Sequence, residues 1–307
     1  MSWFPPPRDI PTEVFASLPA AFREPRLTDW SRANKGGAVI DSFLEGPVVE
    51  PDGSLDVVDI PNGRIFRISA SGTWSLLAQY DGWPNGMKRQ ASGGLLIADY
   101  RRGLLRLDQS NGDLEPLLET LRSESFKGVN DLTFGPAGEI YFTDQGQTGM
   151  HDPSGRVYRL SGDGRLDCLL SNCPSPNGLV LNKAATHLYV AMTRACQVWR
   201  VPVTRDAGVS KAQVFVQLPG GVSGPDGLAI DEDDNLAICD PGHGCVWLVD
   251  AFGVPCYRVL SCAGRTVTNL AYGGEDRRTL FMTESASGQV LTARMPVPGF
   301  PVRVQGA

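Results

Sequence analysis

Six oxygen-bearing residues recur along this chain at a near-constant interval: Glu45, Asn85, Asn130, Asn177, Asp226 and Asn269, separated by 40, 45, 47, 49 and 43 residues. Each sits in a phrase of one shape, as in EGPVVEPDG from Glu45, PNGLVLNKAAT around Asn177 and PDGLAIDEDD around Asp226. Polar groups gathered at one point need water or a ligand, and two carboxylates held together repel unless a counter-charge joins them. An all-oxygen set with a net charge of about −2 suits a hard divalent cation, above all Ca2+. The column contains no Cys or His, so a closed structural zinc site does not fit. Such a cation polarises a carbonyl and stabilises charge on its oxygen while water adds. Water then needs a base, and two acids qualify. Asp226 belongs to the column; Asp131 stands one position beyond it, where four other repeats carry Gly46, Gly86, Gly178 and Gly227 and the last carries Leu270. Because side chains alternate along a strand, Asp131 points either toward the cation or away to cap a turn.

The elements that must bring these positions together follow from the period. About 40–50 residues is the length of one four-stranded propeller blade, and each unit reads as short apolar runs broken by turns such as Pro61-Asn62-Gly63. The expected fold is an all-β, six-bladed β-propeller of four-stranded antiparallel blades spanning residues 41–307, behind an N-terminal extension, residues 1–40, that partly closes the last blade. The run EVFASL at residues 13–18 is its candidate closing strand. In a propeller the first strand of every blade lines the central channel, which gathers the column near the axis. The second runs end at Asp59, Asp99, Asp144, Thr193, Asp240 and Glu284, read as turn and rim hydrogen-bonders. The insertion at residues 145–155 stands over the same face, where His151 and, in the fifth repeat, His243 are candidate substrate contacts. His187 falls in a hairpin turn at the opposite end.

Composition removes other classes. Of 307 residues, 42% are hydrophobic and 20% charged, enough to bury a large core, and 28 Lys and Arg against 34 Asp and Glu give a net charge of −6. Without a basic stripe, a nucleic-acid partner is not expected. No apolar run approaches the length of a membrane span, and the opening MSWFPPPRDIPTE has no basic n-region or apolar h-region. Seven cysteines without a CxxC pair read as free thiols. A cytoplasmic protein, monomeric or a small homo-oligomer, is the expectation. There is no G-x-S-x-G elbow, HExxH or P-loop motif. DEDDN from Asp231 lacks the Gly and the final Glu of an EF-hand and reads as a hairpin turn.

Glu45-Gly-Pro, the Asn130-Asp pair, Pro-Asn177-Gly-Leu and Pro-Asp226-Gly-Leu, together with EIYFTD and RVYRLS, resemble the regucalcin/gluconolactonase family of six-bladed propellers, which includes senescence marker protein and luciferin-regenerating-enzyme-like proteins. The resemblance covers nearly everything from residue 41 onward. It implies that Glu45, Asn177 and Asp226 hold one divalent metal, Ca2+ first and Zn2+, Mn2+ or Fe2+ as alternatives, with Asn130 beside the substrate. It further implies hydrolysis of a small lactone, with Asp226, Asn130 and Asp131 as catalytic candidates and Asn85, Asn130, His151, His243 and Asn269 as substrate contacts. The enzymatic alternative is a calcium phosphotriesterase like the diisopropylfluorophosphatase-type propellers; the other is a propeller that binds a small molecule without turnover. Val49, Lys127-Gly-Val and TDQGQTGMHDPSG depart from the versions common among sugar lactonases, so what the resemblance implies is a lactone rather than a particular sugar.

Overall fold

In the computed structural model, which describes residues 6–91, 93–204, 208–301 and 303, the repeated phrases become six antiparallel sheets in sequence order. Blade 1 comprises Leu44–Val49, Leu55–Asp59, Arg64–Ile68 and Trp74–Gln79, and blade 2 Pro84–Arg89, Leu95–Asp99, Gly103–Leu107 and Leu114–Leu118. Blade 3 comprises Val129–Phe134, Ile140–Asp144, Gly155–Leu160 and Leu166–Cys173, and blade 4 Pro176–Leu181, His187–Met192, Gln197–Pro202 and Gln213–Gln217. Blade 5 is built from Leu228–Ile230, Leu236–Asp240, Cys245–Val249 and Pro255–Leu260, and blade 6 from Val267–Gly273, Thr279–Glu284 and Gln289–Arg294. The missing fourth strand of blade 6 is Glu13–Ser17, antiparallel to Gln289–Arg294. Arg8–Pro11 adds to blade 5 as a fifth strand, parallel to Pro255–Leu260. The chain's first strands therefore cover the outer edges of two blades, and an edge so covered has no free ladder to offer. Residues 1–5 of the expected extension lie outside the described residues.

Each inner strand touches the inner strand of the next blade, and that of blade 6 touches that of blade 1. Apolar side chains on the middle strands are buried on both sheet faces, because every blade is sandwiched between two others. Six hydrophobic clusters result, one at each junction. Phe134 and Phe142 pack with Leu96 and Leu104 between blades 2 and 3, and Phe66 with Phe281 between blades 6 and 1. All seven cysteines are free, and among the described residues no helix is long and apolar enough to cross a membrane.

The residues ending the second strands fix the entries of the inner strands. Asp59 Oδ1 accepts Phe43 N at 2.8 Å, Asp144 Oδ1 accepts Gly128 N at 2.8 Å, and Glu284 Oε1 accepts Thr266 N at 2.7 Å. In blade 4 the polarity reverses, and Thr193 Oγ1 donates to Pro225 O at 2.8 Å. Each bond is made just upstream of a column residue, and a buried carboxylate without such donors would be costly.

The inner ladders break where the column begins. Register shifts fall between Glu45 and Val48, Pro84 and Met87, Val129 and Leu132, Pro176 and Leu179, and Val267 and Asn269. A bulge re-aims side chains, here toward the axis. The glycine after a column residue lets the next blade approach: a Cβ on Gly46 would fall on Asn85 O, and one on Gly86 on the Asp131 carboxylate. Gly86→Ala is accordingly expected to destabilise the fold by about 1–3 kcal/mol through overpacking. Gly162→Ala, with nothing within 4 Å of its added methyl, serves as the control for the urea unfolding midpoint.

Candidate functional site

Glu45, Asn130, Asn177 and Asn269 are buried and Asn85 is half-buried at the bulged ends of their inner strands, and Asp226, also half-buried, stands two residues before the inner strand of blade 5. Glu45 Oε2 accepts Gly46 N and Asn269 Nδ2, each at 2.8 Å. Asn269 is oriented in turn by Leu270 N, which donates to its Oδ1 at 2.8 Å. The Asn177 amide hydrogen-bonds the Asp226 carboxylate, and Asp226 feels the charges of both Glu45 and Asp131. Asp131 turns toward the axis; it does not cap a turn. Its Oδ1 accepts Leu132 N at 2.7 Å and lies 3.8 Å from Lys88 Nζ, and its backbone N donates to Thr143 Oγ1 at 3.1 Å. Thr143 Oγ1 donates to Asn177 O at 2.8 Å, which ties blade 3 to blade 4 at the level of the site.

Crowding these acids has an electrostatic cost. Burial pushes Glu45 up to about 7, with the Asp131 charge adding to it and the Gly46 and Asn269 donors opposing it. Asp226 is driven well above the usual carboxylate range, first by burial and then by the charges of Glu45 and Asp131. Burial also raises Asp131, although Lys88 works against it. A carboxylate pair so disfavoured as anions is short of positive charge, which a cation bound among them would supply. Among the described residues no three His, Cys, Asp or Glu side chains form a metal cluster. The hard oxygens gathered here, the carboxylates of Glu45 and Asp226 with the Asn177 amide oxygen, are of the kind that would suit Ca2+.

Beside this ring lies a cavity of about 540 Å³, walled by residues 145–151 with Asn34, Ser175 and Arg194. Asn130 Nδ2 donates to Gln145 Oε1 at 2.9 Å and Gln145 Nε2 to Ser175 Oγ at 3.0 Å, so the column is wired to the cavity wall. His151 is in that wall, as the loop's position anticipates. His243 is not. Its Nδ1 pairs at 3.0 Å with Asp240 Oδ2, which also accepts Trp247 Nε1 at 2.9 Å.

Two lysines complete the site. Lys88 follows Asn85 by three residues and faces the axis because the bulge shifts the alternation. Lys35 comes from the non-repeating segment, just after the short helix Asp29–Asn34, whose N-terminus is fixed by a capping box between Thr28 and Ser31. Its Nζ stands 4.1 Å from the centroid of the Phe43 ring. Burial lowers the Lys35 pKa, Asp226 and Glu45 pull it back, and Arg194 adds to the lowering. Strand alternation interrupted at a glycine signals Lys88; nothing in the repeat pattern signals Lys35 or Arg194.

Residues 43–286 match the model of the SMP-30/Gluconolactonase/LRE-like region. The chain is 29% identical over 264 residues to the gluconolactonase of Zymomonas mobilis, covering 80% of this chain and 70% of that protein. It is 28% identical over 247 residues to the pentonolactonase XacC of Haloferax volcanii, covering 78% and 80% respectively. Its fold is similar to that of the calcium-binding protein regucalcin from Agrobacterium tumefaciens, with a TM-score of 0.78 at 22% identity over 98% of this chain and 99% of the other.

Proposed function

The chain belongs to the SMP-30/gluconolactonase/LRE-like family, and on that premise we propose that it is a metal-dependent hydrolase that opens a small lactone. The observation that carries this reading is the meeting of Glu45 and Asp226 close enough for the charge of Glu45 to act on Asp226, with Asn269 hydrogen-bonded to Glu45 and Asn177 to Asp226. In the proposal Glu45, Asn177 and Asp226 hold one divalent ion, Ca2+ before Zn2+, Mn2+ or Fe2+. When bound, the ion supplies Lewis acidity at the lactone carbonyl oxygen. Asp226 accepts the proton of the attacking water, the one column acid that the repeat places beside the Asn177 amide. Asn130, held by Gln145, presents an amide edge to the substrate. Asn85 and Asn269 complete the polar ring, and Asn269 also fixes the carboxylate of Glu45. Asp131, paired with Lys88, keeps charge balanced beside the site, a supporting role that leaves the base to Asp226. Water adds to the carbonyl carbon, the ring C–O bond breaks, its oxygen leaves as a hydroxyl, and the product is a hydroxy acid that releases one proton at neutral pH. We place this activity in the cytoplasm, in keeping with seven free cysteines.

Proton release tests the reading. A panel of γ- and δ-lactones, run beside a paraoxon-type triester, is expected to show turnover of lactones in preference to the triester. Preferential cleavage of the triester would replace the proposal with a phosphotriesterase, and release from neither would leave a binding protein.

A further inference from the structure

Arg194 sits on the turn Thr193–Ala195 between the second and third strands of blade 4, its stem against Gly149 and its side chain in the wall of the 540 Å³ cavity. Among the described residues it makes no hydrogen bond and no ion pair. The other polar groups of the wall are mostly engaged: Gln147 Nε2 donates to Asn34 Oδ1 at 3.1 Å and to Tyr100 Oη at 3.0 Å, and Thr148 Oγ1 donates to Gln145 O at 2.6 Å. The wall contains no Asp or Glu. The loop's one acid, Asp152, is bonded to Ser154 outside it. The nearby ammonium of Lys35 has Asp226 and Glu45 as its counter-charges, whereas no acid of the cavity wall offsets Arg194.

We infer that this cavity recognises a carboxylate on the substrate, so that the lactone opened by this protein is the internal ester of a hydroxy-dicarboxylic acid. The inference rests on the lactonase reading and narrows it. A guanidinium with five free N–H groups matches a carboxylate in bidentate fashion, which a neutral hydroxyl does not exploit. The cavity volume lies within the range of small-molecule sites, about 300–1,000 Å³. The wiring from Asn130 through Gln145 to Ser175 sets the cavity directly beside the polar ring, so one small molecule can reach Arg194 with its carboxylate and the acid–amide ring with its ester carbonyl. Hydrolysis then consumes one water, converts a lactone monoanion to an acyclic dianion and releases one proton.

The test compares kcat/KM for two five-membered lactones that differ only by a ring-substituent carboxylate, on the wild-type protein, Arg194→Gln and Arg194→Lys, with melting temperatures as the check on folding. The expected result is a wild-type preference for the acid lactone of about tenfold to a hundredfold, the size of a hydrogen bond to a charged group. That preference should collapse in Arg194→Gln, mainly through KM, and return in part in Arg194→Lys. A wild-type ratio near one, or a ratio that Arg194→Gln does not move while lactones are still hydrolysed, overturns the inference and leaves the lactonase reading standing. A separate arm measures calorimetric binding of the hydroxy-dicarboxylate product. If no lactone is turned over, binding lost in Arg194→Gln upholds the anion site and sinks only the lactonase reading; equal binding by the variant overturns the site.

Discussion

Asp226→Ala is expected to lower kcat for lactone hydrolysis by a factor of about 10³ or more, because one change removes both a metal oxygen and the base, and general-base catalysis alone contributes about 10²–10⁴. Asp226→Asn keeps the shape and the hydrogen-bonding partner Asn177 but not the basicity, so it should be nearly as inactive. The comparison that gives these numbers meaning is Asp131→Asn. Burial raises Asp131 as it raises Asp226, yet its Oδ1 is taken by Leu132 N and the Lys88 ammonium stands 3.8 Å away. A carboxylate so engaged is poorly placed to take a proton from water, and its loss should cost about tenfold, the scale of one perturbed neighbouring charge. Steady-state rates on the best lactone of the panel, with far-ultraviolet circular dichroism to confirm the fold, decide between the two acids. If Asp131→Asn is the dead variant and Asp226→Asn retains most of its rate, the base has been assigned to the wrong residue.

The sequence reading reached Asp131 but not its direction, and the reason is local. In four blades the corresponding glycine leaves room for the neighbouring inner strand; blade 3 spends that room on a carboxylate that fills the space over Gly86. Only the packing between two blades separated by 45 residues shows which way it turns. The column itself was legible because repetition reports it six times, and blade geometry converts a fixed interval into a shared axis. Lys35 and Arg194 were not, since one lies in the non-repeating segment and the other in a turn whose counterparts carry different residues. His243 was read as a substrate contact from its loop. The structure pairs it with the Asp240 carboxylate three residues earlier, a pairing available to any histidine one short turn beyond a buried acid. The N-terminal closing strand was recognisable as the EVFASL run, whereas Arg8–Pro11 carries two charges and a proline in four residues, and its place in blade 5 rests on parallel pairing with Pro255–Leu260 that no alternation announces.

Removing the metal should make stability pH-dependent in a defined direction. Glu45 has its folded pKa at about 7 against an ordinary 4.5, and Asp226 is raised as well. An acid raised in this way binds more protons folded than unfolded between the two values, so the stability of the metal-free protein falls as pH climbs from about 4.5 through 7 and is recovered on acidification. At 1.36 kcal/mol per pKa unit, Glu45 alone accounts for roughly 3 kcal/mol between pH 5 and pH 8. Ca2+ binds the ionised pair and not the protonated one, so its stabilising effect must grow over the same interval. Protein stripped with EDTA is therefore expected to be inactive, to melt at a lower temperature at pH 8 than at pH 5, and to recover both activity and melting temperature when Ca2+ is returned at pH 8. Glu45→Gln should flatten the pH slope of the stripped protein and abolish most of the Ca2+ response, since the amide neither titrates in this range nor repels Asp226. A stripped protein whose melting temperature is level from pH 5 to pH 8, or a Ca2+ shift that survives Glu45→Gln, would mean that the two carboxylates do not meet at a shared cation.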